Sequence, residues 1–260
     1  MKIFQIYYND KTKSILDKSF LPLKNSKPQH KDWFEFEIMH KYLNNNQLEE
    51  NTWYGFLSSR FVEKTNIKPE NLIKLLNNNN SFDLCLCTAN LKALSVYQNI
   101  FIQGEMKHHG LMDAINFFLK NKKINIDIKN LISHSQNSTF ANFVIAKKNY
   151  WLKWLELSNQ MLDLYRDSPE FKILMNKSTH HRNKKNYKIK VFIQERLHSI
   201  AIQLNNFKIF SITNDKSNNN FHLNGIINTL DYLKIKFDIT KNKNYINIYN
   251  HLLKEVLINS

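Results

Sequence analysis

Short apolar runs typical of buried strands alternate along the chain with stretches of helical periodicity. The strand-like runs are KIFQIYY (2–8), TWYGFLS (52–58), FDLCLCTA (82–89) and FKIFSIT (207–213). Apolar residues recur at helical spacing over 33–43, 71–76, 108–121, 151–167, 190–204 and 244–257. This alternation predicts an α/β fold in which a mixed sheet is flanked by helices.

A few residues predict where these elements begin and end. Asp32 is placed to cap the helix over 33–43, and Pro69 suits the first turn of the next helix. The segment 138–151 begins as a strand and continues into a helix, whereas 97–105 fits neither type clearly. The proline-containing segment that follows the first strand is predicted to be a loop.

The length of the chain limits the number of domains. At 260 residues it lies near the upper limit for one hydrophobic core. We expect residues 1–213 to form one α/β domain and residues 214–260 to form a C-terminal appendage packed on the same domain. The asparagine-rich residues 214–220 are predicted to be a flexible loop between them.

The net charge of +15 predicts attraction to an anionic partner, which could be nucleic acid, an acidic membrane surface or a phosphorylated small molecule. Most lysines are scattered, and frequent Lys, Asn and Ile are typical of AT-rich coding, so the charge does not favour nucleic acid. The densest basic stretch, 180–190, is predicted to be a loop leading into a strand.

No apolar stretch approaches the roughly 20 residues that span a bilayer, and the N-terminus lacks the features of a signal peptide. A cytoplasmic location is therefore expected, and peripheral contact with the inner face of the membrane is compatible with the charge. Cys85 and Cys87 are predicted to face one side of a strand as core residues.

Several common catalytic motifs are absent from the sequence, including glycine-rich phosphate loops, the Gly-x-Ser-x-Gly elbow and the His-Glu-x-x-His zinc helix. Glu105–His108 and Glu195–His198 both have the Glu-x-x-His spacing of di-iron carboxylate bundles. A di-iron protein, with Glu37 and Glu156 as the further ligands, is therefore an alternative. A basic nucleic-acid-associated protein is another.

The segment FIQGEMKHHGL (101–111) concentrates acid–base groups in a chain that has only four glycines. Gly104 and Gly110 are expected to let the backbone turn tightly beside a ligand. The alternative is a polar helix start in which the carboxylate caps amides and the histidines are solvated. The candidate catalytic residues in and just after this segment are Glu105, His108, His109 and Asp113.

Three segments, in this order, resemble GT-A-type glycosyltransferases of bacterial capsule and lipopolysaccharide clusters. They are WYGFLSSRF (53–61), NSTFANFVIAKKNYWLKWL (137–155) and VFIQERL (191–197). The resemblance covers residues 1–213. It implies a nucleotide-binding mixed sheet whose strand ends hold a nucleotide-sugar donor, and transfer of the sugar to a glycan acceptor.

The resemblance also implies residue roles. The donor-binding candidates are Tyr8, Asp10, Ser58, Arg60, Lys64, Asn142, Glu195 and Arg196. An Asp-x-Asp metal motif would be expected after the second strand, but residues 56–60 have the sequence FLSSR. No metal site is therefore predicted, although a manganese or magnesium ion remains compatible, and Arg60 and Lys64 would neutralise the leaving phosphate. A solvated Arg60, and a purely structural Glu195–Arg196 ion pair that links this helix to the sheet, remain alternatives.

Overall fold

A computed structural model describes residues 1–26, 28, 31–181, 185–213 and 221–258. The predicted loop 214–220 lies outside the described residues, as do residues 182–184 of the basic stretch.

The elements follow one another along the chain largely as the sequence pattern predicts. The strands are β1 (Lys2–Tyr7), β2 (Leu21–Lys24), β3 (Tyr54–Ser58), β4 (Leu84–Thr88), β5 (Val144–Ala146), β6 (Ser178–His181), β7 (Lys185–Lys188) and β8 (Ile209–Thr213). The helices are α1 (Asp10–Lys13), α2 (Phe34–Asn45), α3 (Phe61–Thr65), α4 (Pro69–Asn78), α5 (Leu91–Val96), α6 (Ile100–Lys107), α7 (Leu111–Asn121), α8 (Lys148–Asp167), α9 (Pro169–Asn176), α10 (Ile189–Gln203), α11 (Phe221–Thr240) and α12 (Lys243–Ile258).

Six strands form one mixed sheet in the order β2-β1-β3-β5-β4-β8. β5 runs antiparallel to both of its neighbours, and the other neighbouring pairs are parallel. The carboxyl ends of five strands therefore meet at one edge of the sheet, together with the amino end of β5. The predicted α/β fold with a mixed, helix-flanked sheet is confirmed at this level.

The chain reverses its direction of travel across the sheet after β2. From β1 it moves to β2 on one side, and it then returns to place β3 on the other side of β1. In open α/β sheets, ligands bind in the crevice outside the carboxyl ends of the strands near such a reversal. The topology therefore directs attention to the carboxyl edge.

The sheet has a hydrophobic core on each face because its side chains alternate. In β3, Phe56 belongs to the core beneath α2, α8 and α10, while its neighbour Leu57 belongs to the core beneath α4. Cys85 and Cys87 lie in the second core, and both are buried free thiols, as predicted. Trp151 is buried against Phe56, with ring centroids 5.2 Å apart.

Two predictions for the segment after β1 are wrong. The predicted loop contains β2, in which Pro22 pairs with Gln5 of β1. β2 is the edge strand, where a proline removes no hydrogen bond that a second neighbour would need. Asp32 does not cap α2, because it lies in a short 3₁₀ turn (Lys31–Trp33) and its carboxylate lies 3.3 Å from Lys190 Nζ.

The C-terminal helices α11 and α12 pack on each other, and α11 packs on α5. Lys234 of α11 is fully buried, and its Nζ donates to the carbonyl oxygens of Leu94 (2.6 Å) and Tyr97 (2.8 Å). Asp231 accepts hydrogen bonds from the amide and hydroxyl of Ser135. These polar contacts tie the C-terminal pair to the segments that precede and follow α6 and α7.

No helix in the described part of the chain is both long enough and apolar enough to cross a membrane.

Candidate functional site

A cleft of about 530 Å³ opens at the carboxyl edge of the sheet. Its floor comes from the segments that follow β3 and β4 and from the segment that precedes β5. Its walls come from the first turn of α2, from α6 and its C-terminal end, and from β7 and α10. The lining residues are Phe34, Glu35, Arg60, Glu63, Lys64, Ala89, Asn90, Gln103, His108, Phe140, Ala141, Asn142, Tyr187, Val191, Phe192, Gln194, Glu195 and Arg196.

The backbone is strained at two positions of this lining. Phe34 has φ 45° and Ala141 has φ 58°, a left-handed conformation that residues with a side chain rarely adopt. Asn25 supports the first of these by donating its Nδ2 to the Phe34 carbonyl oxygen at 3.0 Å. Such strain persists only where the surrounding structure enforces it, and it is concentrated at functional sites.

Glu195 of α10 is a partly buried carboxylate in the cleft wall. Burial raises its pKa to about 7, Arg196 and Lys64 act in the opposite direction, and Glu35 adds to the rise. Within the described ranges, Glu195 accepts no hydrogen bond and forms no ion pair. A carboxylate with these properties in a cleft is suited to accept and release a proton near neutral pH.

The cationic side chains predicted to hold phosphate both line the cleft, but they differ in availability. Arg60 forms a two-pronged ion pair with Glu63, in which Nε donates to Oε2 at 2.7 Å. This pair raises the pKa of Arg60. Lys64 is exposed, with Nζ 5.6 Å from the ring centre of Phe143, and no carboxylate of the described chain lies within ion-pair distance. Lys64 is therefore the more available cation.

Arg196 lines the cleft, but its guanidinium is engaged in structural bonds. Nε donates to the Ile100 carbonyl oxygen (3.0 Å), Nη1 to that of Phe192 (2.8 Å) and Nη2 to Gln103 Oε1 (3.1 Å). Burial lowers the pKa of Arg196 to about 10, and the nearby Glu195 opposes this effect. The structural alternative considered for this residue needs correction, because Arg196 joins α10 to α6 through neutral acceptors and not to the sheet.

The role expected for Gly104 is wrong. Gly104 lies inside α6, where a Cβ atom would come within 2.4 Å of Leu111 Cδ2 and 2.7 Å of Arg196 Nη2. The residue leaves room for the buried arginine and forms no turn. Gly110 does adopt the left-handed conformation, with φ 96°, just before α7.

Most of the acid–base cluster in 105–113 lies away from the cleft lining. Glu105 caps α7, since Oε1 accepts from the Gly110 amide (3.0 Å) and Oε2 from the Met112 amide (2.8 Å). The His109 side chain is 86% exposed, with Nδ1 3.7 Å from Glu105 Oε1, and Asp113 is exposed. The contacts of Glu105 and the exposure of His109 match the polar helix start considered as the alternative, whereas His108, which that alternative also expected to be solvated, is buried.

His108 is the member of this cluster that lines the cleft. Its ring stacks on Phe192 with centroids 3.4 Å apart, and Nδ1 lies 3.2 Å from the His180 carbonyl oxygen. His108 and Arg60 therefore line the same cleft, although they are far apart in the sequence.

Asn142 lines the cleft and is connected to two buried residues behind it. Its Oδ1 lies 3.2 Å from His198 Nε2, and His198 Nδ1 lies 2.7 Å from the Tyr150 hydroxyl. Burial lowers the pKa of His198 to about 3, so the ring is neutral. The sequence pattern does not predict Tyr150 or His198 as a binding or catalytic residue, although His198 is the histidine of the Glu195–His198 motif.

The remaining donor-binding candidates lie at strand ends outside the cleft lining. The Tyr8 hydroxyl is buried near the cleft residue Glu35, and burial together with that carboxylate raises the pKa of Tyr8. Asp10 is the exposed first residue of α1. Ser58 ends β3, and its buried Oγ has no hydrogen-bond partner in the described chain.

The described residues do not fit the di-iron alternative. The fold is built on a sheet, and no three His, Cys, Asp or Glu side chains of the described chain are grouped as metal ligands. Glu105 is used as a helix cap, and Glu156 forms an exposed ion pair with Lys153.

No protein-family model, curated protein or solved structure matches the chain. Together, the fold and the site define this chain as an α/β protein with a mixed six-stranded sheet and a polar cleft at the carboxyl edge of that sheet.

Proposed function

We propose that this protein is a glycosyltransferase that moves a sugar from a nucleotide-sugar donor to a hydroxyl of a glycan acceptor in surface-polysaccharide synthesis. The observation that carries the proposal is Glu195, a carboxylate with a pKa near 7 that has no ion-pair partner among the described residues and lies in a cleft that also contains Lys64 and Arg60. The position of the cleft at the carboxyl edge of a mixed sheet supports nucleotide binding.

The proposed reaction uses the two kinds of charge in the cleft for different purposes. Glu195 takes the proton from the acceptor hydroxyl as its oxygen attacks the anomeric carbon of the donor. The bond from that carbon to the phosphate oxygen breaks, and its electron pair leaves with the nucleotide. Lys64 and Arg60 stabilise the negative charge on the departing phosphate.

The charge of the cleft favours this function over nucleic-acid binding. Glu35, Glu63 and Glu195 line the cleft together with Arg60, Lys64 and Arg196, so the lining offers no continuous basic surface to a phosphate backbone. A small ligand can place one diphosphate beside Lys64 and keep its other groups near the carboxylates.

The first test is thermal unfolding with uridine, guanosine and adenosine diphosphates and CMP, each with and without manganese. We expect at least one nucleotide to stabilise the protein, by about 3 kcal/mol at a concentration of about 100 times its Kd. Lys64→Met and Arg60→Ala should weaken this stabilisation because each removes a positive charge from the cleft. Glu63→Gln should strengthen it, because Arg60 is then released from its ion pair.

Lys254→Met is the matched control, since Lys254 is an exposed lysine of α12 outside the cleft lining. This variant should bind the same nucleotide as tightly as the wild type. If none of the nucleotides stabilises the protein, the proposed function is refuted. Tight binding of duplex DNA or RNA with a steep dependence on salt would favour the nucleic-acid alternative instead.

A further inference from the structure

Three carboxamide side chains line the cleft on the side formed by α6, α10 and the segment before β5. Two of them have their oxygen engaged by the protein. Gln103 Oε1 accepts from Arg196 Nη2 at 3.1 Å, and Asn142 Oδ1 lies 3.2 Å from His198 Nε2. Their NH₂ groups have no protein acceptor in the part of the chain that the structure describes, so both are available as donors to a ligand.

The orientation of the Asn142 amide is fixed from behind the cleft. A neutral imidazole has one nitrogen that donates and one that accepts. Asn142 Oδ1 can only accept, so its contact with His198 Nε2 requires a donor there, and His198 Nδ1 then accepts from the Tyr150 hydroxyl at 2.7 Å. His198 therefore carries its proton on Nε2 and donates it to Asn142 Oδ1, which leaves Nδ2 for the cleft.

Gln194 differs from the other two amides because it offers a hydrogen-bond acceptor instead of a donor. The residue is 2% exposed, and among the described residues its Oε1 is a buried oxygen with no hydrogen-bond donor. A buried acceptor without a partner costs stability, and a bound ligand that donates to it would remove that cost. An ionised phosphate has no proton to give, whereas a hydroxyl group both donates and accepts.

Aromatic side chains line the cleft as well. They are Phe140, two residues before Asn142, and Phe192, two residues before Gln194. A ligand with several hydroxyl groups on an apolar ring frame would satisfy both the amides and these faces.

We propose that Gln103, Asn142 and Gln194 form the subsite for the uncharged sugar of the donor, and that His198 and Tyr150 are positioning residues that fix the polarity of Asn142. This inference rests on the proposed function. It separates a sugar subsite made of amides from the phosphate site made of Lys64 and Arg60.

The test is calorimetric titration with two probes, namely the nucleoside diphosphate that stabilises the wild type and the corresponding nucleotide sugar. Tyr150→Phe and Gln194→Met alter neither the charge of the cleft nor the groups proposed to hold phosphate. Each variant should lower the affinity for the nucleotide sugar about tenfold and change the affinity for the free diphosphate less than about twofold, as loss of one neutral hydrogen bond predicts.

Two further measurements separate positioning from folding. Nitrogen NMR of His198 should show the proton on Nε2 in the wild type and a shift toward Nδ1 in Tyr150→Phe, because the donor to Nδ1 has been removed. Tyr165→Phe is the matched control, since the Tyr165 hydroxyl bonds to Asn176 outside the cleft lining. It should leave both affinities unchanged.

The outcomes distinguish this inference from the function on which it rests. If the wild type binds no nucleotide, the proposed function fails and the subsite fails with it. If the wild type binds and both variants lose the free diphosphate as strongly as the nucleotide sugar, the amides contact the base or phosphate, and only the subsite is refuted. The same holds if neither variant changes either affinity.

Discussion

At the scale of single residues, Glu195 combines a cost to folding with the catalytic role proposed for it. Its pKa is about 7 in the folded protein, against an ordinary value of 4.5. Between these two values the folded chain binds a proton that the unfolded chain has released, so the free energy of unfolding falls as the pH rises from about 4.5 to about 7. The folded protein therefore carries the destabilising charge at neutral pH.

Glu195→Gln should remove both the destabilising buried charge and the proposed sugar-transfer activity. We expect transfer activity to fall about 100- to 10,000-fold, which is the usual contribution of a general base. At pH 8 the free energy of unfolding should rise by about 1 to 3 kcal/mol, because glutamine has the same shape without the charge. At pH 4.5 the variant and the wild type should have similar stability.

Sugar transfer and denaturant unfolding at the two pH values provide the measurements. Glu156→Gln is a suitable control, since Glu156 is an exposed residue of α8 paired with Lys153. A Glu195→Gln variant that keeps full activity would exclude Glu195 as the base, whatever its stability.

The sequence predicts some site residues better than others. Arg60, Lys64, Asn142 and Glu195 were expected to bind the donor, and all four line the cleft. Arg60 and Lys64 follow β3 and Asn142 precedes β5, and these strand ends meet at one edge of the sheet, whereas Glu195 lies inside α10. Glu105 lies instead beside a helix start, where its carboxylate accepts hydrogen bonds from backbone amides. The sequence alone does not reveal whether such a carboxylate caps a helix or serves a binding site.

At the scale of elements, the contact between α6 and α10 depends on a missing side chain. Gly104 of α6 allows Arg196 of α10 to reach the carbonyl oxygen at the start of α6. The arginine holds α10 in the position that places Glu195 in the cleft wall. A substitution in α6 should therefore affect both stability and the site.

Gly104→Ala should destabilise the protein by about 1 to 3 kcal/mol, because its Cβ would overlap Leu111 and the Arg196 guanidinium. Gly225→Ala is the matched control, since a Cβ at Gly225 in α11 meets no atom within 4 Å. That change should stabilise the protein by about 0.5 to 1 kcal/mol, as helix propensity predicts. Urea unfolding of the two variants provides the comparison, and equal effects would contradict the proposed contact.

The elements that the sequence did not predict have physical explanations. β2 was missed because prolines indicate a loop, yet an edge strand tolerates them. No helix was assigned over Phe221–Thr240. α11 contacts both α5 and α12, so its apolar residues are spread around the helix and give no single stripe.

At the scale of the whole molecule, the C-terminal helices are joined to the rest of the chain through a buried amine. Burial lowers the pKa of Lys234 to about 7 from an ordinary value of 10.5, and Asp231 opposes this effect. A neutral amine keeps the two hydrogens that its bonds to the Leu94 and Tyr97 carbonyl oxygens require. The contact between α11 and α5 therefore does not require the Lys234 amine to be charged.

Lys234 should make the protein more stable in mild alkali. Between about pH 7 and 10.5 the unfolded chain binds a proton that the folded chain lacks, so the free energy of unfolding rises with pH, by on the order of 5 kcal/mol over the whole interval. Lys234→Met should abolish this rise. Lys236→Met, in the same helix but only partly buried, should retain it.

Denaturant unfolding at several pH values from 7 to 9.5 measures the difference. If the wild type shows no rise over this interval, or if Lys234→Met keeps the same slope, the amine is charged in the folded protein.

The order of the strands could not be predicted from the sequence. Alternating strands and helices indicate an α/β fold, but they do not reveal that β5 lies between β3 and β4 with opposite direction. β5 has only three residues, and its apolar run continues into α8. The apolar side chains on both faces of β3 and β4 indicate that these strands are buried, but they do not identify the strand that pairs with each of them.

The insertion of β5 between two earlier strands has a consequence for synthesis on the ribosome. β3 and β4 are complete by residue 88, but the strand that pairs with both begins at residue 144. Until that segment leaves the exit tunnel, β3 has one unpaired edge and β4 has two, because its other neighbour β8 begins only at residue 209. Unpaired edges of apolar strands promote association with other chains. Premature stops or pauses before residue 144 should therefore yield aggregated fragments that depend on chaperones.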